Sequence, residues 1–178
     1  MNSTVVTMAV LASWIPGWVP WHEQGPRPPE IWQGAHAGMT RYQILRVFPA
    51  ARLTIEGKSL NGEIEGATMP LTVAGHEAIA HFFFLRGGLS AVALSLVDVE
   101  EGRTAMNLAE ARDLGDAVSH AYGSPGKCGA VNDTTPTRYR CDWASGPLHI
   151  ELEYREAMPP PTLTVTYRVG VAGTASGL

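Results

Sequence analysis

Charge is scarce in this chain. Lys, Arg, Asp and Glu together make up 17% of its 178 residues, where a quarter is usual. The 13 basic residues form no run and no cluster among aromatics, and the formal net charge is -4. That excludes a nucleic-acid partner, since phosphate binding needs concentrated positive charge. Cysteine is limited to Cys128 and Cys141, too far apart for a redox CxxC pair and too few for a cysteine zinc site. No apolar run reaches the roughly 20 residues of a membrane-spanning helix. The Gly-x-Ser-x-Gly elbow of serine hydrolases is missing. So is the Gly-Lys-Ser or Gly-Lys-Thr of a phosphate loop. Gly126-Lys127-Cys128 follows a helix pattern, the wrong end for an anion. No motif calls for a cofactor, and none is expected.

What is present is apolar. The hydrophobic residues reach 45%, enough for a sizeable core in one domain. Residues 1–33 read as an N-terminal apolar segment followed by an arm. Val5 to Ala12 resembles the end of a secretory signal, with Val10 and Ala12 at cleavage-site spacing, although no Lys or Arg precedes it. Trp14, Trp18, Trp21 and Trp32 then alternate with Pro16, Pro20, Pro26, Pro28 and Pro29, which favour extended chain. The arm either packs its indoles onto the domain or contacts a partner protein or a membrane surface.

Residues 34–170 read as one α+β domain with two pseudo-repeats, about 38–99 and 107–169. Each is a helix followed by an antiparallel sheet, with the helices packed on one face of the sheet. Thr40 caps a helix carrying Tyr42, Ile44, Leu45, Val47 and Phe48, which Pro49 stops. Asn61-Gly62 is a hairpin cue, and Arg86-Gly87-Gly88 joins two strands, Ala78 to Leu85 and Leu89 to Val97. Asn107 with Glu110 has capping-box spacing, ahead of a helix presenting Leu108, Ala111, Leu114, Ala117, Val118 and Ala121 on one face. Three further strands follow, over Thr137 to Trp143, Leu148 to Tyr154 and Leu163 to Val169. Residues 171–178 form a small, Gly-rich tail.

Gly38-Met39-Thr40, with the helix ending at Phe48-Pro49, resembles the opening of the small outer-membrane assembly lipoprotein family. The second helix, ending in Tyr122-Gly123-Ser124-Pro125, with Trp143 near a turn and alternating strands after it, is similar to the repeat of the β-lactamase inhibitor protein-like fold. The likeness covers about residues 35–170. It implies helices on an antiparallel sheet and a protein-binding or scaffolding role, with no catalytic residues to carry over. No cysteine lies near the N-terminus, so the lipid anchor of that lipoprotein family has no attachment point.

Three functional readings follow. The first is a non-enzymatic binding or scaffold protein of the bacterial cell envelope, periplasmic or secreted. It would contact another protein through Trp14, Trp18, Trp21, Trp32, Tyr42, Trp143 and Tyr154, because aromatics supply large contact area at small entropic cost. The second is a small hydrolase or ligand binder with His76 and His81 at a pocket. Those histidines are five apart, whereas a helical zinc motif needs four, and on a strand five residues put them on opposite faces. The third is an inhibitor or immunity-type protein. His81, Glu151 and Glu153 alternate with apolar neighbours and read as the solvated side of a half-buried sheet. Cys128 and Cys141 are either two unrelated thiols or a disulfide, the latter following if the chain is exported.

Overall fold

The computed structural model describes residues 28–96, 107–130, 138–156 and 161–170. Trp14, Trp18, Trp21, the signal-like stretch and the tail lie outside the described residues.

Paired turns of the form X-Gly build the first half. Asn61-Gly62 lies between strands β4 (Ser59–Leu60) and β5 (Glu63–Val73), with φ of 51° and 83°. Two consecutive left-handed residues make the turn whose twist matches antiparallel strands, and Asn tolerates that conformation. Ala74-Gly75 connects β5 to β6 (His76–Leu85) in the same way, and Arg86-Gly87 connects β6 to β7 (Gly88–Leu96). A smaller hairpin, β1 (Glu30–Trp32) and β2 (Ala35–His36), turns at Gln33-Gly34. The packed chain therefore starts before Gly34, since Ile31 and Trp32 are already core residues.

Both helices begin where their caps predict. Thr40 and Gln43 form a capping box ahead of α1 (Arg41–Val47), and Asn107 and Glu110 form one ahead of α2 (Leu108–Tyr122). Each box satisfies backbone N–H groups that the first helical turn leaves unpaired.

The expected α+β architecture of two helix-then-sheet repeats is overturned. Strands take up 55% of the described residues and helices 18%. The strands form one antiparallel sheet in the order β3-β5-β6-β7-β11-β10-β9-β8, with β4 also on β5. Here β3 is Arg52–Leu53, β8 Lys127–Ala130, β9 Arg138–Ser145, β10 Leu148–Arg155 and β11 Thr162–Val169. What sequence reading divided into two sheets is continuous, because β7 and β11 pair from Leu163↔Leu96 to Arg168↔Ala91. The helices are minor cover. α1 buries only Ile44 within its length, and α2 buries Ala111, Leu114, Gly115 and Val118.

One face of this sheet holds the main core. Phe82 is fully buried, and Phe48 lies between it and Trp32, with ring centroids 5.3 Å and 5.6 Å away. Under α2, the Trp143 indole N–H donates to Ser119 Oγ at 3.2 Å, and Ser119 Oγ donates to the Gly115 carbonyl at 2.8 Å. Cys128 and Cys141, directly opposite each other on β8 and β9, form a disulfide with Cα atoms 4.1 Å apart. It ties the last strand of the sheet order to its neighbour.

Candidate functional site

The second face of the sheet carries the charge. Because side chains alternate along a strand, Arg138, Arg140 and Asp142 of β9 project on the same side as Glu151, Glu153 and Arg155 of β10. Thr162, Thr164, Thr166 and Arg168 of β11 continue that surface. Together with Leu60 and Asn61 at the β4 turn, most of these residues line an open groove of about 650 Å³. Thr162, Thr164 and Thr166 line part of it, together with guanidinium and carboxylate side chains.

The charged groups are linked. Arg138 donates through Nε to Glu153 Oε1 at 2.6 Å, and Arg155 Nη2 lies 2.7 Å from Glu153 Oε2. Arg140 Nη2 bridges Asp142 and Glu151, at 3.0 Å from each. The guanidiniums keep an open side, with side-chain exposures of 39% for Arg138, 40% for Arg140 and 54% for Arg155. Burial pushes the Glu151 carboxyl above its ordinary value. Arg140 opposes that shift, while Asp142 and Glu153 add to it. Burial acts upward on Glu153 too, but hydrogen bonds from Arg155 and Arg138 outweigh it and hold that carboxyl below the usual range. Its hydrogen bond to Asp142 raises the Arg140 guanidinium further above its ordinary value.

At the β5 flank the same face is closed. Glu63, Glu65 and His81 are all buried. Arg168 Nη2 donates to Glu63 Oε2 at 2.6 Å, and His81 Nδ1 bonds Glu65 Oε1. The other oxygen of Glu65 accepts from the Lys58 backbone N–H at 3.3 Å. This corrects the reading of His81 as a solvated strand residue. Alternation told correctly which face it shares but not that residues 57–60 approach that face. His76 starts β6 five residues earlier, on the opposite face. Among the described residues, no group of three or more His, Cys, Asp or Glu side chains is placed to hold a metal ion. A second, smaller and mainly apolar pocket of about 360 Å³ lies beside Pro28, His36 and Met39, where His36 Nδ1 is 3.0 Å from the Pro28 carbonyl.

Of the aromatic contact residues expected from the sequence, the four that are described, Trp32, Tyr42, Trp143 and Tyr154, do not line this groove. Trp32, Trp143 and Tyr154 are buried, at 5%, 2% and 3% exposure, and serve as core. Tyr42 is 75% exposed, but α1 packs over the opposite, core-bearing face through Ile44 and Phe48. Glu151 and Glu153 do share one face of β10, although Glu153 is largely covered, with 17% of its side chain exposed. The arginines were missed. Their signal was the period-two spacing of Arg138, Arg140 and Asp142, echoed by Glu151, Glu153 and Arg155.

Comparison with protein-family models, with curated proteins and with solved structures finds no match to this chain.

Proposed function

We propose that this chain is an exported binding protein that engages another protein through the charged face of its sheet, in the periplasm or outside the cell. One observation carries the reading. The guanidiniums of Arg138, Arg140 and Arg155 stay half-exposed in a groove on the side of the sheet away from the main core. Arginine in such a place offers planar, multidentate donors to a partner's polar groups. The Cys128–Cys141 disulfide supports the compartment, because such bonds persist where the surroundings are oxidising. No helix among the described residues is long and apolar enough to cross a membrane.

The test is site-specific photo-cross-linking in the native cell. A photoreactive residue at Thr164, in the groove, is compared with one at Tyr42, on the other side. A discrete protein adduct from Thr164 and none from Tyr42 supports the reading. Adducts from Tyr42 alone, or from neither site, overturn it.

A further inference from the structure

Across β9 and β10 the charged face breaks the rule that opposed residues should differ in sign. Only the central pair obeys it, with Arg140 opposite Glu153. On one side of that pair Arg138 stands opposite Arg155, and on the other Asp142 stands opposite Glu151. Like charges directly opposite each other on a sheet are destabilising. Local rules that fold a chain are most often broken where function requires it. The ion pairs soften the conflict without removing it. Arg138 and Arg155 share the carboxylate of Glu153, while Asp142 and Glu151 share the guanidinium of Arg140. Counted over β9 and β10, one end of the stripe therefore keeps a positive charge and the other a negative one. Lys127 stands opposite Asp142 on β8, and no ion pair joins them. All four end residues are reachable, with Asp142 at 44% and Glu151 at 39% side-chain exposure beside the arginines already described.

The two ends are four residues apart on each strand, about 13 Å at the rise of a β-strand. An extended polypeptide lying along the strands has the same rise, and its residues i and i+4 point to the same side. We infer that this face recognises an extended segment of a partner protein bearing an acidic and a basic side chain four residues apart. The acid sits between Arg138 and Arg155, and the base between Asp142 and Glu151. Thr162, Thr164 and Thr166 lie beside this track with hydroxyls for the segment's polar groups. The inference rests on the proposed binding role and adds the chemistry of what is bound.

The experiment titrates the full chain, isotopically labelled, with short Ser/Thr peptides and follows backbone and arginine side-chain resonances by NMR. One peptide carries Asp and Lys four apart, a second carries them two apart, and two others carry Asp twice or Lys twice at the four-residue spacing. The expected result is binding of the first about threefold or more tighter than the rest, the effect of one exposed ion pair. Its shifts should fall on Arg138, Arg155, Asp142 and Glu151. Arg155→Gln should weaken it by a similar factor, and Tyr42→Ala should not. Equal binding of all four peptides, or of none, overturns the inference. If the Thr164 cross-link to a partner persists in that case, the binding role stands and only the charge spacing falls.

Discussion

His81 and Glu65 meet side chain to side chain beneath residues 57–60, although sixteen positions separate them in the sequence. Both are less than a tenth exposed. A buried pair of this kind is costly to desolvate, and breaking it is worse than never having it, because the survivor is left unsatisfied. Glu65→Ala should therefore destabilise the chain by about 3 kcal/mol or more. The double change Glu65→Leu with His81→Leu should recover much of that loss. Urea unfolding of the three proteins checks the order. A double variant less stable than the single one would mean that the pair is a net source of stability.

The part of this fold that could be read from sequence was local. Caps and turns depend on a few adjacent residues, so Thr40 with Gln43, Asn107 with Glu110, and Asn61-Gly62 announced themselves. The join between β7 and β11 was not announced. It matches Leu96 with Leu163 across the whole second helix, and no short-range pattern encodes such a partner. Strand β8 escaped for another reason, since Lys127-Cys128-Gly129-Ala130 has little strand propensity and is held by pairing and its disulfide. At the candidate site, alternation put Glu151 and Glu153 on one face. Cover and pairing are tertiary facts, however. Arg168 reaches Glu63 over 105 positions.

The two glutamates of β10 should respond to acid in opposite ways. Glu151 has its carboxyl raised in the folded chain. The folded state then holds the proton more tightly than the unfolded state, and stability falls as pH rises through the folded value. Glu153 has its carboxyl lowered, so its contribution is present above the unfolded value and is lost as pH falls through the folded one. At pH 7, Glu151→Gln should be neutral or slightly stabilising, by less than about 1 kcal/mol, and Glu153→Gln should cost about 1 kcal/mol. At low pH both variants should approach the parent, Glu153→Gln only once the lowered folded value of that carboxyl has been passed. Urea unfolding at the two pH values decides it, and a Glu151→Gln variant clearly weaker than Glu153→Gln at pH 7 would reverse the assignment.

The disulfide closes a short loop, since Cys128 and Cys141 are 13 positions apart in the sequence. In the chain-entropy picture such a loop is worth about 3 kcal/mol through restriction of the unfolded chain. The double change Cys128→Ala with Cys141→Ala should lower unfolding stability by about that amount. Alanine is the right replacement because Cys141 is fully buried, where a serine hydroxyl would need a partner. The denatured, unreduced protein should show no free thiol to a colorimetric reagent. A stoichiometric thiol signal would mean that the bond does not form in the isolated chain.

Two glycines should give opposite results when a methyl group is added. Gly115 lies inside α2, where glycine is less favourable than alanine by about 1 kcal/mol. A Cβ there would meet Cys141 Sγ at 3.9 Å and the Trp143 ring at 4.0 Å, which is ordinary van der Waals contact. Gly115→Ala should therefore stabilise the chain by about 0.5 to 1 kcal/mol. Gly66 sits at the irregularity in β5 between Glu65 and Ala67. A Cβ there would come within 2.4 Å of Arg41 Nε and 2.7 Å of the Phe84 ring, the two groups whose stacking bridges α1 and β6. Relief requires moving a buried ring, so Gly66→Ala should destabilise by about 1 to 3 kcal/mol, as overpacking does. Thermal unfolding of the two variants should move their midpoints in opposite directions. A rise for both would mean that Phe84 and Arg41 yield freely, and that α1 is not locked to the sheet at that point.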